Sequence, residues 1–254
     1  MRNVLIAGAT QGTGRELAAA YLRDGANVVV TGREAKRAET VAAELTAEAT
    51  AAVARQPLAV TTGDGPPLPG VATGLALDLS RPDTVAAALA PVEQVDRLVL
   101  VGMVRDRNTL AGFDTAAASQ LAVTKVVGYT AVIAALAERL APDAAVLLFG
   151  GGSKDYPYPG STTLTAVNAA VTGMVRTLSI ELAPVRVNAI HPGPIVDSPF
   201  WQDKAELADT LAKFRAQTLT GELGDMADVV DACRFLLDNR LANGINLPVD
   251  GGHP

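Results

Sequence analysis

The 254-residue sequence predicts an α/β protein, a doubly wound central parallel sheet of about seven strands flanked by helices. Three observations predict it. Short β-branched runs alternate with longer Ala/Leu-rich runs along the chain. The strand runs are apolar throughout, as strands buried on both faces are. Strands separated by helices require crossovers, which are right-handed and give parallel pairing. No internal repeat at solenoid spacing competes with this pattern.

The elements follow in order. Residues 4–7 (Val4, Leu5, Ile6, Ala7) form an apolar strand that runs into a glycine turn, with a helix over 15–24. A second strand is read at 27–31 and a helix from 34 to about 49. Residues 55–74 cluster prolines and glycines without a helical period, so they read as a loop insertion, either a passive surface excursion or a binding flap. Strands follow at 74–77 and 98–101, with a helix at 82–90 between them. One long helix is expected over about 114–140, then a strand at 144–149, a helix at 163–182 and a strand at 185–190. A helix around 225–237 and a last strand at 244–249 close the chain. The expectation is a single domain over residues 1–254.

Composition bounds the function. Hydrophobic residues are 49% and aromatics only 4%, so the core is built from Ala, Val, Leu and Ile. The formal net charge of -6 provides no general attraction to nucleic acid or to an anionic membrane, so any bound anion must be held locally. Cys233, alone, cannot form an internal disulfide, which suits a reducing cytoplasm. In its apolar run it reads as a small buried hydrophobe rather than a nucleophile. His191 and His253 are too few and too isolated for a metal cluster. The apolar start is too short for a signal peptide, and no uncharged run has the length and character of a membrane span. The expected location is cytoplasmic.

The strongest motif is Gly8-Ala9-Thr10-Gln11-Gly12-Thr13-Gly14, after a strand and at the opening of a helix. A turn this tight needs backbone angles that glycine tolerates. Without a Cβ the main chain can approach a pyrophosphate, whose charge the free N–H groups and the helix dipole stabilise.

The spacing Gly-x3-Gly-x-Gly resembles that of the short-chain dehydrogenase/reductase family, and the resemblance runs over nearly the whole chain. Asp78-Leu79-Ser80 is similar to the family's adenine-contacting segment. Gly102 stands in the segment after the fourth strand, which is one residue short of the family pattern. The run from Arg186 to Ile195 is similar to the sixth strand and the loop beside the nicotinamide, with Pro192, Gly193 and Ile195 at the cofactor. Asn246 to Gly252 is similar to the last strand. The resemblance implies a Rossmann-type fold, a nicotinamide cofactor, a small-molecule substrate, and homodimers or homotetramers built from the long helix and the next. The Ala/Val-rich run 116–140 offers an apolar face for such packing, or is simply deeply buried.

The second strand decides the cofactor. It ends Val30-Thr31-Gly32-Arg33, with glycine where NAD binders of this design place an acid. A carboxylate would repel a 2′-phosphate, whereas a guanidinium binds it with paired hydrogen bonds. NADP(H) is therefore favoured over NAD(H), the alternative being that Arg33 is an ordinary solvated charge. Arg15 opens the first helix and can simply face solvent. Gln11 stands where the family's NADP binders often carry a second basic residue.

The catalytic pattern departs from the family. Its Tyr-x3-Lys pair falls on Leu164 and Asn168, its serine near Gly151, and its helix-four asparagine in Val123-Thr124-Lys125-Val126, which has none. Leucine cannot move a proton, and losing a positioned acid or base costs about 10²–10⁴ in rate. Asn168 can still bind a ribose but carries no charge to lower a phenol pKa. Three explanations follow. Tyr158, assisted by Ser153 or Lys154, is a relocated acid, or else Tyr156 and Tyr158 merely line the cleft. The substrate, a polarised alkene or an imine, needs no strong protein acid. Or redox catalysis is lost, and the chain is a cofactor sensor, a partner subunit or a non-redox enzyme. His191, near the nicotinamide end, reads as a strand-end residue or as a proton-exchanging group. Residues 198–220, with Phe200, Trp201 and Phe214, are expected to cap the substrate. The resulting expectation is an NADP(H)-dependent oxidoreductase with an atypical proton donor, against a degenerate cofactor-binding relative.

Overall fold

The computed structural model describes residues 1–55, 68–104, 106, 108–202 and 207–252. Seven parallel strands form one sheet in the order β3-β2-β1-β4-β5-β6-β7. They are β1 (Asn3–Ala7), β2 (Asn27–Gly32), β3 (Ala72–Ala76), β4 (Val95–Leu100), β5 (Leu140–Phe149), β6 (Arg186–Pro192) and β7 (Asn246–Val249). The order runs one way from β1 to β3 and the other way from β4 to β7. The crevice between β1 and β4, at the carboxyl ends of the strands, is the switch point where such sheets bind ligands.

The helices are α1 (Gly12–Arg23), α2 (Ala35–Ala54), α3 (Val85–Ala88), α4 (Thr115–Ala122), α5 (Tyr129–Leu136), α6 (Thr162–Glu181), α7 (Ala208–Gln217) and α8 (Met226–Asp238). Two apolar layers result. One face of the sheet packs on α1, α2 and α8 through Leu17, Tyr21, Leu45, Val229 and Leu236. The other packs on α5 and α6 through Tyr129, Ile133, Val171 and Val175. Cys233 is fully buried in the first layer, and burial pushes its thiol pKa up, so it is inert packing as its apolar run implied. Arg186 is buried in β6 and donates to the carbonyls of Leu236, Leu237 and Ala242, so it serves the C-terminal end of α8. A cation there also suits the helix dipole. The N-terminal end of α8 is closed by a capping box between Asp225 and Asp228.

Four expectations need correction. The helix expected over 82–90 is a 3₁₀ turn (Pro82–Thr84) followed by the single turn of α3. The helix expected over 114–140 is interrupted by a π-helical turn, Val123–Gly128, and yields to β5 at Leu140. A Cβ on Gly128 would meet Leu79 O at 2.2 Å, so the interrupted turn lies directly against the chain leaving β3. Of the expected loop insertion 55–74, residues 56–67 lie outside the described residues, and residues 72–74 belong to β3. Gly74 lies so close to α2 that a Cβ would meet Glu39 N at 2.3 Å. Helix α7 has no counterpart among the expected elements; it buries no side chain fully, so no run of core positions marks it in the sequence. Thr115–Arg139 has the length and mean hydropathy of a membrane-crossing helix, but Tyr129, Val132 and Leu136 within it are core residues on the sheet, and Leu121 packs on Leu164 and Val167.

Candidate active site

The chain leaves β1 at Ala7 and turns at Gly8 with φ +100°. A Cβ there would lie 2.5 Å from Gly102 Cα, and a Cβ on Gly14 would lie 2.4 Å from Gly8 O. The turn is thus pinned between the start of α1 and the end of β4, where the N–H groups of Val101 and Gly102 both donate to Ala7 O. Gln11 is the N-cap residue of α1, but its side chain makes no capping hydrogen bond to the helix. The first-turn amides of a helix have no intrahelical partner, so at Gly12, Thr13 and Gly14 they are available to a ligand. These residues, with Gly8, Thr10 and Gln11, form the floor of a cleft of about 1130 Å³. Ordinary ligand pockets measure roughly 300–1,000 Å³, so this one has room for an extended dinucleotide together with a small organic molecule.

One end of the cleft is polar. Arg33 stands on its wall beside Gly32. A Cβ on Gly32 would come within 2.6 Å of Thr10 Cγ2, so an acidic side chain there would require Thr10 to move. Arg37, one turn into α2, donates from Nη2 to Gln11 Oε1 at 3.0 Å. Sequence reasoning missed Arg37, although its place four residues after Arg33 on a helix start was a usable signal. Arg15 turns away and pairs with Glu48 at 2.6 Å. Asp78 accepts from the amide and hydroxyl of Ser80 on one oxygen, Oδ1, at 3.0 and 2.7 Å. The carboxylate is thereby oriented beside Leu79 on the cleft wall.

The opposite end is built from β5, β6 and α6. Pro192, Gly193 and Ile195 leave β6 along the wall, with Gly193 N donating to Val249 O at 3.0 Å. A Cβ on Gly150 would meet His191 Nδ1 at 2.0 Å and one on Gly151 would meet Asn168 Nδ2 at 2.7 Å, so the glycine run lets the chain lie against both side chains. Ser153, in a 3₁₀ turn (Gly152–Lys154), follows it. Asn168 donates from Nδ2 to Ser153 Oγ at 2.8 Å and accepts at Oδ1 from Lys125 Nζ at 2.7 Å. Lys125 Nζ also donates to Gly150 O at 3.0 Å. Lys125 is 1% exposed. Sequence reasoning marks its stretch only for the asparagine it lacks and assigns the lysine no role. A single lysine in an otherwise apolar helical run was the available signal.

Leu164 packs with Leu121 and Val167 and shows its edge to the cleft. Tyr158 is 49% exposed on the same wall, its backbone held by Ser161, whose Oγ accepts from Tyr158 N and donates to Tyr158 O. Tyr156 lines the wall nearby. Lys154 pairs with Asp155 and is not on the cleft wall. Thr124 lines the cleft, and its buried Oγ1 has no hydrogen-bond partner among the described residues. Over the top lie Phe200, Trp201 and Phe214, with the rings of Trp201 and Phe214 edge-on at 6.2 Å. Of the expected capping region 198–220, residues 203–206 lie outside the described residues. Among the described residues no group of three His, Cys, Asp or Glu side chains could hold a metal.

His191 is fully buried and off the cleft wall. Nδ1 accepts from Gly151 N and Nε2 bonds Asn246 Oδ1 at 3.0 Å, so Nε2 carries the proton of a neutral ring. Burial holds its pKa below the ordinary 6.5. This is the strand-end role, not proton exchange. Below the unfolded pKa the unfolded chain takes up a proton that the folded ring refuses, so folding weakens as pH falls through that value. Urea midpoints measured from neutral pH to pH about 5 are expected to fall. His191→Gln should flatten that part of the curve, and an unaltered curve would show that the ring titrates normally.

Comparison with known proteins gives concordant matches. Residues 68–253 match the family described as Enoyl-(Acyl carrier protein) reductase, and residues 2–64 match short chain dehydrogenase. Short-chain dehydrogenase/reductase ATR9 of Stachybotrys chlorohalonatus is 34% identical over 96 residues, covering 38% of each chain. A second such protein is matched over 39% of its own length, so these two alignments span about two fifths of the relatives. The 2-(S)-hydroxypropyl-CoM dehydrogenase 3 of Xanthobacter autotrophicus is 28% identical over 98% of this chain and 95% of its own. Among solved structures, a 3-oxoacyl-[acyl-carrier protein] reductase with bound NAD from Brucella melitensis superposes with a TM-score of 0.80. It is 22% identical over 99% of this chain and 90% of that one, a likeness of fold.

Proposed function

The chain belongs to the short-chain dehydrogenase/reductase family, and from that premise we propose that it is an NADP(H)-dependent oxidoreductase acting on a small organic substrate through an atypical proton donor. The residues fit a nicotinamide dinucleotide. The glycine turn leaves unpartnered amides for the pyrophosphate, Asp78 is set for the adenine, and Asn168 with the Pro192–Gly193 loop lies at the opposite end. Bound there, the cofactor supplies or accepts the hydride.

The observation that carries the choice of NADP(H) is Arg33 on the wall of a cleft end where Gly32 removes the acid, with a second guanidinium, Arg37, bonded to Gln11 on the same wall. A hydrogen bond to a charged group contributes about 1.5–3 kcal/mol. By calorimetry NADPH should therefore bind at least about tenfold more tightly than NADH. Arg33→Ala should lower NADPH affinity about 10- to 100-fold while changing NADH affinity less than about threefold. Equal affinities for the two cofactors in the wild type would refute the assignment.

For the proton donor, Tyr158 and Ser153 are the side chains this reading assigns. Ketones, enones and imines are to be screened for NADPH oxidation, and Tyr158→Phe should slow turnover with whichever class reacts. Undiminished turnover discards Tyr158. Leu164, standing where the family carries its tyrosine, favours a second reading, a cofactor-binding relative without redox turnover. Tight NADPH binding with no oxidation across the panel would select it. The same family membership suggests a homodimer or homotetramer, and the lone Cys233 accords with a reducing cytoplasm.

A further inference from the structure

Lys125, Asn168 and Ser153 form a chain of hydrogen bonds whose direction is fixed from one end. The ammonium of Lys125 can only donate. It donates to Asn168 Oδ1 at 2.7 Å and to Gly150 O at 3.0 Å. The amide of Asn168 therefore cannot turn over, since that would set N–H against N–H. Its Nδ2 must face Ser153, and it donates to Ser153 Oγ at 2.8 Å. Ser153 Oγ is thereby an acceptor toward Asn168, and among the described residues its own O–H donates to nothing. Asn168 and Ser153 both line the cleft, whereas Lys125 does not. The lysine emerges from the π-helical turn Val123–Gly128, which carries its side chain inward. Such turns recur at functional sites.

We propose that Lys125 is the positioning residue of this site. It locks Asn168 and Ser153 as hydrogen-bond donors toward the cleft, and so makes that wall a receptor for a negatively charged or strongly polarised oxygen of the substrate. The positive charge reaches the cleft through one amide, in surroundings where a charge acts over a longer range than in water. Preorganised donors of this kind stabilise an oxyanion without transferring a proton to it. The matching substrate is one whose reacting oxygen becomes an anion of modest basicity, as the enolate of a conjugated carbonyl compound does. Such an oxygen needs no strong acid at position 164, so its proton can come from Tyr158 or from solvent, which accords with the leucine there. This assignment rests on the oxidoreductase reading for its substrate class but not for its test.

The probe is 4-nitrophenol, whose ionised form is distinguished by its absorption. Titrated across neutral pH with excess wild-type protein, it should ionise about one pKa unit lower than in buffer, a tenfold preference for the anion. Asn168→Asp keeps the bond to Lys125 but gives Ser153 an acceptor, so its hydroxyl turns away from the cleft. That variant should melt no lower than wild type and lose the shift. Lys125→Met should lose it as well, and Ser153→Ala in the Asn168→Asp background should produce no further loss. An unshifted probe in the wild type, or a shift that survives Asn168→Asp, overturns the proposal. A shifted probe in a protein that binds no dinucleotide would overturn the cofactor reading instead and leave this one standing.

Discussion

Gly8→Ala is expected to abolish dinucleotide binding and to lower the melting temperature. The position has φ +100°, a region that a residue with a Cβ occupies at a cost of about 1–3 kcal/mol. The added carbon would also sit 2.5 Å from Gly102 Cα and 2.6 Å from Gly102 N, both backbone atoms that cannot swing aside. The turn must shift away from β4, and the first-turn amides of α1 shift with it. Affinity for either dinucleotide should fall by more than about 100-fold, since several charge-assisted bonds lose their alignment together. Gly173→Ala is the control. It is helical, nothing lies within 4 Å of where the added methyl would sit, and alanine is the better helix former. That variant should bind as wild type and melt no lower. If Gly8→Ala bound NADPH normally, the turn would not be the pyrophosphate site.

The contrast between these glycines shows what the sequence made legible. Apolar runs buried on both faces, spaced by helices, pointed to the parallel sheet, because a strand with no polar face has nowhere else to go. The glycine spacing located the floor of the cleft, and the other residues then considered for cofactor or catalysis lie on the wall of that cleft, except Lys154 and His191. What remained hidden depends on contacts between elements distant in the chain. Lys125 and Asn168 lie 43 positions apart, and neither carries a sign of the other. The π-helical turn that carries the lysine lies against Leu79, a contact that no local pattern announces. Helix α7 buries no side chain fully and so has no core positions to announce it, and the pairing of Arg37 with Gln11 joins two segments that only the folded sheet brings together.

The buried lysine changes the expected effect of placing a Tyr-x3-Lys pair at positions 164 and 168, where the family resemblance puts it. Leu164→Tyr combined with Asn168→Lys replaces the amide that now accepts from Lys125 by a second ammonium. Asn168 Oδ1 lies 2.7 Å from Lys125 Nζ, so the two cations would face each other in a buried site. At an effective dielectric of about 20, two like charges about 4 Å apart repel by about 4 kcal/mol. The double variant should therefore be less stable by several kcal/mol in urea denaturation, with no gain of ketone reduction. Adding Lys125→Asn removes one cation and moves the amide to the opposite helix, the reverse of the natural arrangement. Stability should return to near the wild-type value. With a phenol beside a cation, ketone turnover should then rise by about 10²–10⁴ over the wild type, the usual contribution of a positioned acid. The decisive comparison is between the double and the triple variant. Equal stability of the two would mean that position 168 tolerates a second charge beside Lys125, and that the exchange of lysine and asparagine between the two helices is not a coupled feature of this site.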